Sequence, residues 1–530
     1  MKKRMLATVL ILLMLASLLT ACQTDGGTTK APDASGNGDT LPQVTLQFWM
    51  GCQGKQKDTD EVHAHLQQQI AEHLPNTEIA WTLLTFAEYD EKWTKALAAG
   101  ETIDISWYGW YRTMADDAND GTILAMDPYL DDHGQNIVTY FGDRILDLHR
   151  NSDGQLYFIP AWQGLTANRW SMYLRKQVAD SVSPDILEDL TSVFVKNQFD
   201  TSIASRQENL GVLTRLLKEA KDAETIGMGV SQVDEYSMYT NSLNFLATDG
   251  MVLYGDDTFK VYSKYDNEYY KLLYKTAAEW YDEGYIPADI ASRSETVSWA
   301  EEGDNGYAFS TGGTMGYEDP AGVFTTRYGI DFVNIPMFGE DLLVLGFPTG
   351  TCLPMTSKNP DRAIMLLDLF FSPAGKEIYR TFVYGLEDKH YKRTTDDDTI
   401  DLLTGIGEPQ SDWAYGIPAW VLGTCEHIFN TPAGSVKLYK QYKANEADAY
   451  AAPLLAFAFD NNDVSVEQAQ IKTVVDEYHI VLMQGLKGTA GWEAYYNDFL
   501  QKLEQAGMEK YIAEIQEQVD AFVEEHEAKW

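Results

Sequence analysis

From residue 44 the chain first alternates and then repeats. Val44, Leu46 and Phe48 alternate with polar neighbours, the period of a half-buried strand, until Gly51-Cys52-Gln53-Gly54 interrupts it. Val62, Leu66, Ile70 and Leu74 then recur every four residues, one face of a helix. Ile79-Ala80-Trp81-Thr82-Leu83-Leu84 predicts a second strand, and Tyr89, Trp93, Ala96 and Leu97 a second helix stopped by Gly100. Ile103-Asp104-Ile105-Ser106-Trp107 predicts a third strand. This alternation predicts an α/β fold, with a mostly parallel sheet covered on both faces by helices. The C-terminal part reads as helical. Ile364, Leu367, Phe370 and Phe371 line one helix before Pro373, and Ile512, Ile515, Val519, Phe522 and Val523 repeat at three and four, a helix docking on the body.

In open α/β sheets, ligands bind outside the carboxyl ends of the strands. Here those ends carry Trp49-Met50-Gly51 and Trp107-Tyr108-Gly109-Trp110-Tyr111. Bulky aromatics beside glycines at these positions are the first functional hint. Packed strand ends are the alternative, although buried Trp and Tyr each need a polar partner.

The first 40 residues break the pattern. Met1-Lys2-Lys3-Arg4 is basic, and Met5 to Thr20 is uncharged and largely apolar. As a helix those residues span roughly 24 Å, short of a bilayer core of about 30 Å, so they read as a signal peptide. Leu18-Leu19-Thr20-Ala21-Cys22 resembles a bacterial lipobox, with Cys22 lipidated and left as the new N-terminus; an ordinary signal peptide carrying a Cys is the alternative. Gln23 to Thr40, rich in Gly, Thr, Asp, Ala and Ser, reads as a tether reaching roughly 20–25 Å.

With 40 Lys plus Arg against 80 Asp plus Glu, the net charge is −40, and loss of Lys2, Lys3 and Arg4 takes it to −43. Such a surface argues against nucleic acid, whose phosphates need basic residues. At 45% hydrophobic and 23% charged, the chain of 530 residues has enough apolar content for packed globular domains. Besides Cys22, the Cys residues are Cys52, Cys352 and Cys425; one disulfide plus one thiol, or three buried thiols, both fit.

Catalytic and metal motifs are mostly missing. G-x-S-x-G, Walker A and H-E-x-x-H do not occur. His63 and His65, two apart on a helix, point too far apart to share a metal. Asp460-Asn461-Asn462-Asp463 with Glu467 has no Gly at the sixth position of a calcium loop and reads as a helix N-cap cluster. Acid pairs such as Glu301-Glu302 could serve a glycosidase, but 80 acids produce such pairs anyway. No metal or cofactor is expected.

Several segments, taken in order, resemble the extracellular solute-binding proteins of bacterial ABC importers, family 1. Tyr89-Asp90-Glu91-Lys92-Trp93 through Gly100-Glu101-Thr102-Ile103-Asp104-Ile105 is similar to the family's helix and the entry into strand three. Asp153-Gly154-Gln155-Leu156-Tyr157-Phe158-Ile159-Pro160 resembles its strand into the first interlobe crossing, and Asn244 to Gly250 a helix end in the second lobe. Gly306-Tyr307-Ala308-Phe309-Ser310-Thr311-Gly312-Gly313 resembles the cleft-lining turn, and Thr356 to Ala363 the helix after the second crossing. Phe457-Ala458-Phe459-Asp460, Val475-Asp476-Glu477-Tyr478 and Ala506 to Ile512 resemble the C-terminal extension of the larger lipoprotein members. One departure is Thr314-Met315-Gly316-Tyr317, where sugar-binding members carry a Pro-Trp turn; stacking there passes to Tyr317 or is absent.

The resemblance implies a two-lobe, periplasmic-binding-protein-like (type II) α/β fold with hinge crossings and a helical C-terminal extension. The expected divisions are 1–21 signal peptide, 22–41 tether, 42–160 with 350–395 as lobe one, and 161–349 with 396–530 as lobe two. Hinges are expected near Pro160–Trp162 and Gly346–Thr351. It implies a non-enzymatic, monomeric receptor, anchored through lipid to the extracellular face of the cell membrane, that hands a carbohydrate, by preference an oligosaccharide, to permease subunits. A receptor for a peptide or other polar solute, or a secreted glycan-active enzyme, are the alternatives. Sugars stack on aromatic rings and bond through hydroxyls. Candidate ligand residues are therefore Trp49, Trp107, Trp110, Trp162, Gln163, Glu235, Tyr236, Thr311, Gly312, Tyr317, Trp413, Tyr415 and Trp420.

Overall fold

A computed structural model describes residues 41–528 of the chain, apart from 167–169, 228, 234–242, 247–248, 293–305, 314–318, 338–342, 345–348, 395–397, 404–413, 432–433 and 448. The segments expected to be signal peptide and tether, with Cys22, lie outside the described residues up to position 40, as do Glu235, Tyr236, Tyr317, Trp413 and the pair Glu301-Glu302.

The first layer follows the predicted alternation: β1 (Val44–Cys52), α1 (Thr59–His73), β2 (Thr77–Thr85), α2 (Phe86–Ala98) and β3 (Ile105–Tyr108). Leu46, Phe48 and Met50 are fully buried on one face of β1, and Val62, Leu66 and Ile70 on α1. A capping box on Thr85 and Glu88 starts α2 directly where β2 ends. The short α3 (Met114–Asn119) follows, then β4 (Ile159–Pro160). The sheet order is β2-β1-β3-β9-β4, where β9 is Gly350–Cys352. β1 runs parallel to β2 and β3, whereas β9 is antiparallel to both its neighbours, so the chain returns to this sheet in the opposite sense.

The second sheet is wholly antiparallel, β7-β5-β6, built from β5 (Trp170–Arg175), β6 (Phe309–Gly313) and β7 (Phe332–Pro336). The parallel expectation therefore holds for the first lobe alone. The β5 residues Met172 and Leu174 share one apolar core with the long C-terminal helices α7 (Ser465–Met483), α8 (Gly488–Gln505) and α9 (Met508–His526). Ile515 and Val519 are fully buried in that core, with Ile512, Phe522 and Val523 packed against it. The extension is part of the second lobe's interior.

Helices α4 (Pro360–Phe371) and α5 (Gly375–Tyr384) return to the first lobe, with Ile364, Leu367, Phe370 and Phe371 buried. The expected switch of lobe at 396 does not hold. Asp58 N–H donates to Ala414 O (2.8 Å), and the Gln56 side chain bonds Gly416 in both directions (2.7 and 3.0 Å). After α6 (Val436–Asn445), Arg144 donates to Glu446 O and Ala449 O (both 2.7 Å). The chain thus stays on the first lobe to about residue 449 and crosses a third time before Phe459, which lies in the second core. Between them, β8 (Leu343–Val344) of the second crossing pairs in parallel with β10 (Tyr450–Ala451) of the third. Of the second hinge candidate, Gly346–Thr351, residues 346–348 lie outside the described residues.

Candidate functional site

The carboxyl ends of β1, β2 and β3 meet around Trp107. Its ring lies flat between two glycines: a Cβ on Gly51 or on Gly109 would overlap it. Trp107 is fully buried, and its indole N–H has no hydrogen-bond partner among the described residues, so packing alone holds the ring. Tyr111 stacks on it at 5.4 Å, Tyr89 meets it edge-on at 5.2 Å, and Trp110 edge-on at 5.6 Å.

Above this buried ring stand three accessible ones. Phe86 stacks on Trp420 with centroids 5.3 Å apart and planes 19° from parallel. Trp110 is 60% exposed, 5.5 Å from Phe86 and 5.9 Å from Trp420, tilted about 50° to each. Phe86 and Trp420 are half-buried. An exposed Trp braced by three aromatic neighbours is a rigid stacking surface, with little side-chain entropy left to lose when a flat ligand face settles on it.

Its supports are polar. The Arg112 guanidinium reaches Asp117 Oδ2 through Nε (2.6 Å), Asp117 Oδ1 through Nη2, and Asp90 Oδ1 through Nη1 (2.8 Å), and it lies 4.6 Å over the Trp93 ring. Burial alone would lower the Arg112 pKa, but the bonds to Asp117 and Asp90 outweigh it and hold the proton on. Tyr108 also donates to Asp117 (2.5 Å). These bonds tie down both ends of the 109–113 loop that carries Trp110. Trp420 is held through its backbone: its carbonyl accepts from Thr349 Oγ1 (2.8 Å), which in turn accepts from Gln163 Nε2 (3.3 Å).

Beside the Trp110 loop, a cavity of about 140 Å³ opens between the lobes. Thr113, Met114, Ala115 and Asp116 line it from the first lobe; Leu246, Phe457, Ala458, Phe459 and Gln468 line it from the second. Burial, and after it the neighbouring Asp117, raises the Asp116 pKa.

The sequence candidates divide. Trp107, Trp110 and Trp420 come together in one cluster, and Gln163 touches it through Thr349. Trp49 is half-buried and joins none of these ring contacts. Trp162 and Tyr415 are fully buried and offer no face to a ligand. The Trp162 indole is spent on Glu446, and the Tyr415 hydroxyl on Phe382 O (2.8 Å) with its ring against His63 and His390. Thr311 and Gly312 lie on β6, paired with Met172 and Ser171. Phe86 was not anticipated, although it sits at the carboxyl end of β2 as Trp107 does at that of β3. The supposed N-cap cluster is also reassigned: the α7 N-cap is Val464, without a side-chain cap, while Asp460 closes a turn on Asn462 and Asn461 reaches Asp116.

Comparison with known proteins agrees with this architecture. The structure is similar to the N-glycan transport solute binding protein (NgtS) from Streptococcus pneumoniae, with TM-score 0.68 and 18% identity over 91% of this chain and 99% of that one. The fold is that of the extracellular solute-binding proteins. An extracellular solute-binding protein from Bifidobacterium longum subsp. infantis matches 92% of this chain and 99% of its own length at TM-score 0.52 and 16% identity. In sequence, a carbohydrate ABC transporter substrate-binding protein of Streptococcus pneumoniae serotype 4 is 21% identical over 538 residues, covering 98% of each chain. A family model described as a domain of unknown function (DUF3502) matches residues 453–524, the segment that enters and builds the helical extension of this solute-binding fold.

Proposed function

We propose that this protein is the lipid-anchored receptor of an ABC importer, capturing a carbohydrate, by preference an oligosaccharide, in the cleft between its lobes. The observation that carries this reading is the platform of Phe86, Trp110 and Trp420 on buried Trp107, at the strand ends where such a fold binds. Flat, exposed, braced rings suit the apolar faces of pyranoses, and the acidic surface disfavours anionic solutes. The similarity to NgtS, solved in complex with Man5GlcNAc at TM-score 0.67, supports a glycan over a peptide. The relatives are transport proteins, which supports a receptor over a glycan-active enzyme.

Within this reading the lobes are 42–160 with about 350–449, and 161–349 with about 450–530. Ligand bridges them and closes the hinge, because only the closed state lets it touch both. Cys22 carries the lipid, 23–41 is the tether, permease subunits are the partner, and the receptor is a monomer on the extracellular face of the membrane. Calorimetric titration with neutral oligosaccharides and short peptides, repeated on Trp110→Ala, tests the ligand class. Release of the protein from the membrane fraction by Cys22→Ala tests the anchor.

A further inference from the structure

The domain matched at 453–524 touches the first lobe next to the platform, where Asn119 Nδ2 donates to Asp460 Oδ1 (3.4 Å) and the neighbouring Asn461 makes the shorter contact. Asn461 Nδ2 donates to Asp116 Oδ1 (2.6 Å) on α3 and to Gln468 Oε1 (2.7 Å) on α7. Its turn is not free to drift. Asp460 accepts from Asn462 N–H (3.0 Å), and Gln518 of α9 brackets Asp460 by accepting from its N–H (2.8 Å) and donating to its carbonyl (2.7 Å). On the other side, α3 begins at Met114, just after the Arg112 anchor that fixes the Trp110 loop. A continuous set of bonds therefore runs from α9 through Asn461 to the loop bearing the exposed tryptophan.

We propose that Asn461 is a positioning residue, and that the 453–524 domain serves this receptor by clasping α3 and setting the interlobe angle at which the platform meets its ligand. The inference rests on the receptor reading only for its effect on affinity; the angle itself can be read without ligand. Asn461→Asp sets a carboxylate against Asp116, and against Asp117 one residue on, so it reverses the contact from attraction to repulsion. Asp116→Asn combined with Asn461→Asp exchanges donor and acceptor and restores the bond, with the Gln468 amide turned to donate.

The test uses the mature chain with Cys22 replaced and fluorophores on Glu101→Cys and Asp257→Cys, exposed positions on the two lobes. Energy transfer is measured without ligand, and affinity for a neutral N-glycan fragment is then titrated. The clasp predicts lower transfer in Asn461→Asp, an affinity about ten-fold weaker, as for loss of a hydrogen bond to a charged group, and return of both in the double variant. Unchanged transfer in Asn461→Asp, or failure of the exchange to restore it, would overturn the proposal. Asp116→Ala, which removes the acceptor and adds no charge, is read in the same way if Asn461→Asp does not fold. A transfer change with no glycan binding in any form would leave the clasp standing and count against the carbohydrate reading.

Discussion

Trp162 donates its indole N–H to Glu446 Oε1 at 2.5 Å, joining the first passage between the lobes to the start of the third. Glu446 is buried and also takes Lys443 Nζ at 2.8 Å, and Lys443 stands 4.2 Å over the Tyr140 ring. The Trp162 backbone is paired as well, donating to Gly423 O and accepting from Cys425 N–H, both at 2.8 Å. The residue that looked like a ligand contact is pinned through both its backbone and its indole.

Glu446→Leu leaves a buried N–H and an ammonium without their acceptor, at a cost of about 2–4 kcal/mol. Glu446→Gln keeps an oxygen for Trp162 and should cost about half of that. Urea unfolding at constant m-value checks both, and equal losses would contradict the pinning role.

Trp107 owes its place to two missing side chains. Gly51→Ala or Gly109→Ala forces the ring or its strand to move, and should destabilise the protein by about 1–3 kcal/mol. Gly154→Ala, where an added Cβ meets nothing, probes backbone strain without overlap, since φ is +76° there. Near-UV circular dichroism should change at the first two positions and stay unchanged at the third.

Burial holds His63, His149 and His427 down to about 4, against an ordinary value of 6.5. Between those values the unfolded chain binds protons that the folded chain refuses. Stability from these groups is therefore complete above pH 6.5, falls as pH drops through the window, and stops falling below 4. Melting temperatures from pH 7.5 to 4 should show this slope, and His63→Gln should make it shallower.

Cys52, Cys352 and Cys425 are buried free thiols, and burial pushes those of Cys52 and Cys425 up to about 12. A disulfide reagent added to native protein with Cys22 replaced should find no reactive thiol, and three after unfolding. Fewer than three would indicate a bridge.

Much of this was legible in the chain. The β1–α1–β2–α2–β3 run follows from alternation and four-residue repeats that tertiary packing did not override, Trp110 was visible as an aromatic at a strand end, and Trp420 as an aromatic suited to stacking a sugar. Trp162 and Tyr415 misled because exposure is set by what packs above a residue, here α6 and Phe382, hundreds of positions away in one case. The antiparallel second sheet and the third crossing were hidden for a related reason: strand sense and lobe assignment depend on long-range pairing, which local periodicity does not encode. Phe86 was missed although it stands at the carboxyl end of β2, the kind of position that singled out Trp107 and Trp110 at the end of β3.

Titration of the mature protein with a panel of neutral oligosaccharides, with the products checked for cleavage, tests the central claim most directly. The account predicts one-to-one binding of at least one glycan that is recovered intact, and a loss of about 1–3 kcal/mol, roughly 5- to 150-fold in affinity, in Trp110→Ala with folding unchanged. Binding that is indifferent to Trp110, a glycan consumed at an enzymic rate, or a preference for peptides over every sugar offered would contradict it.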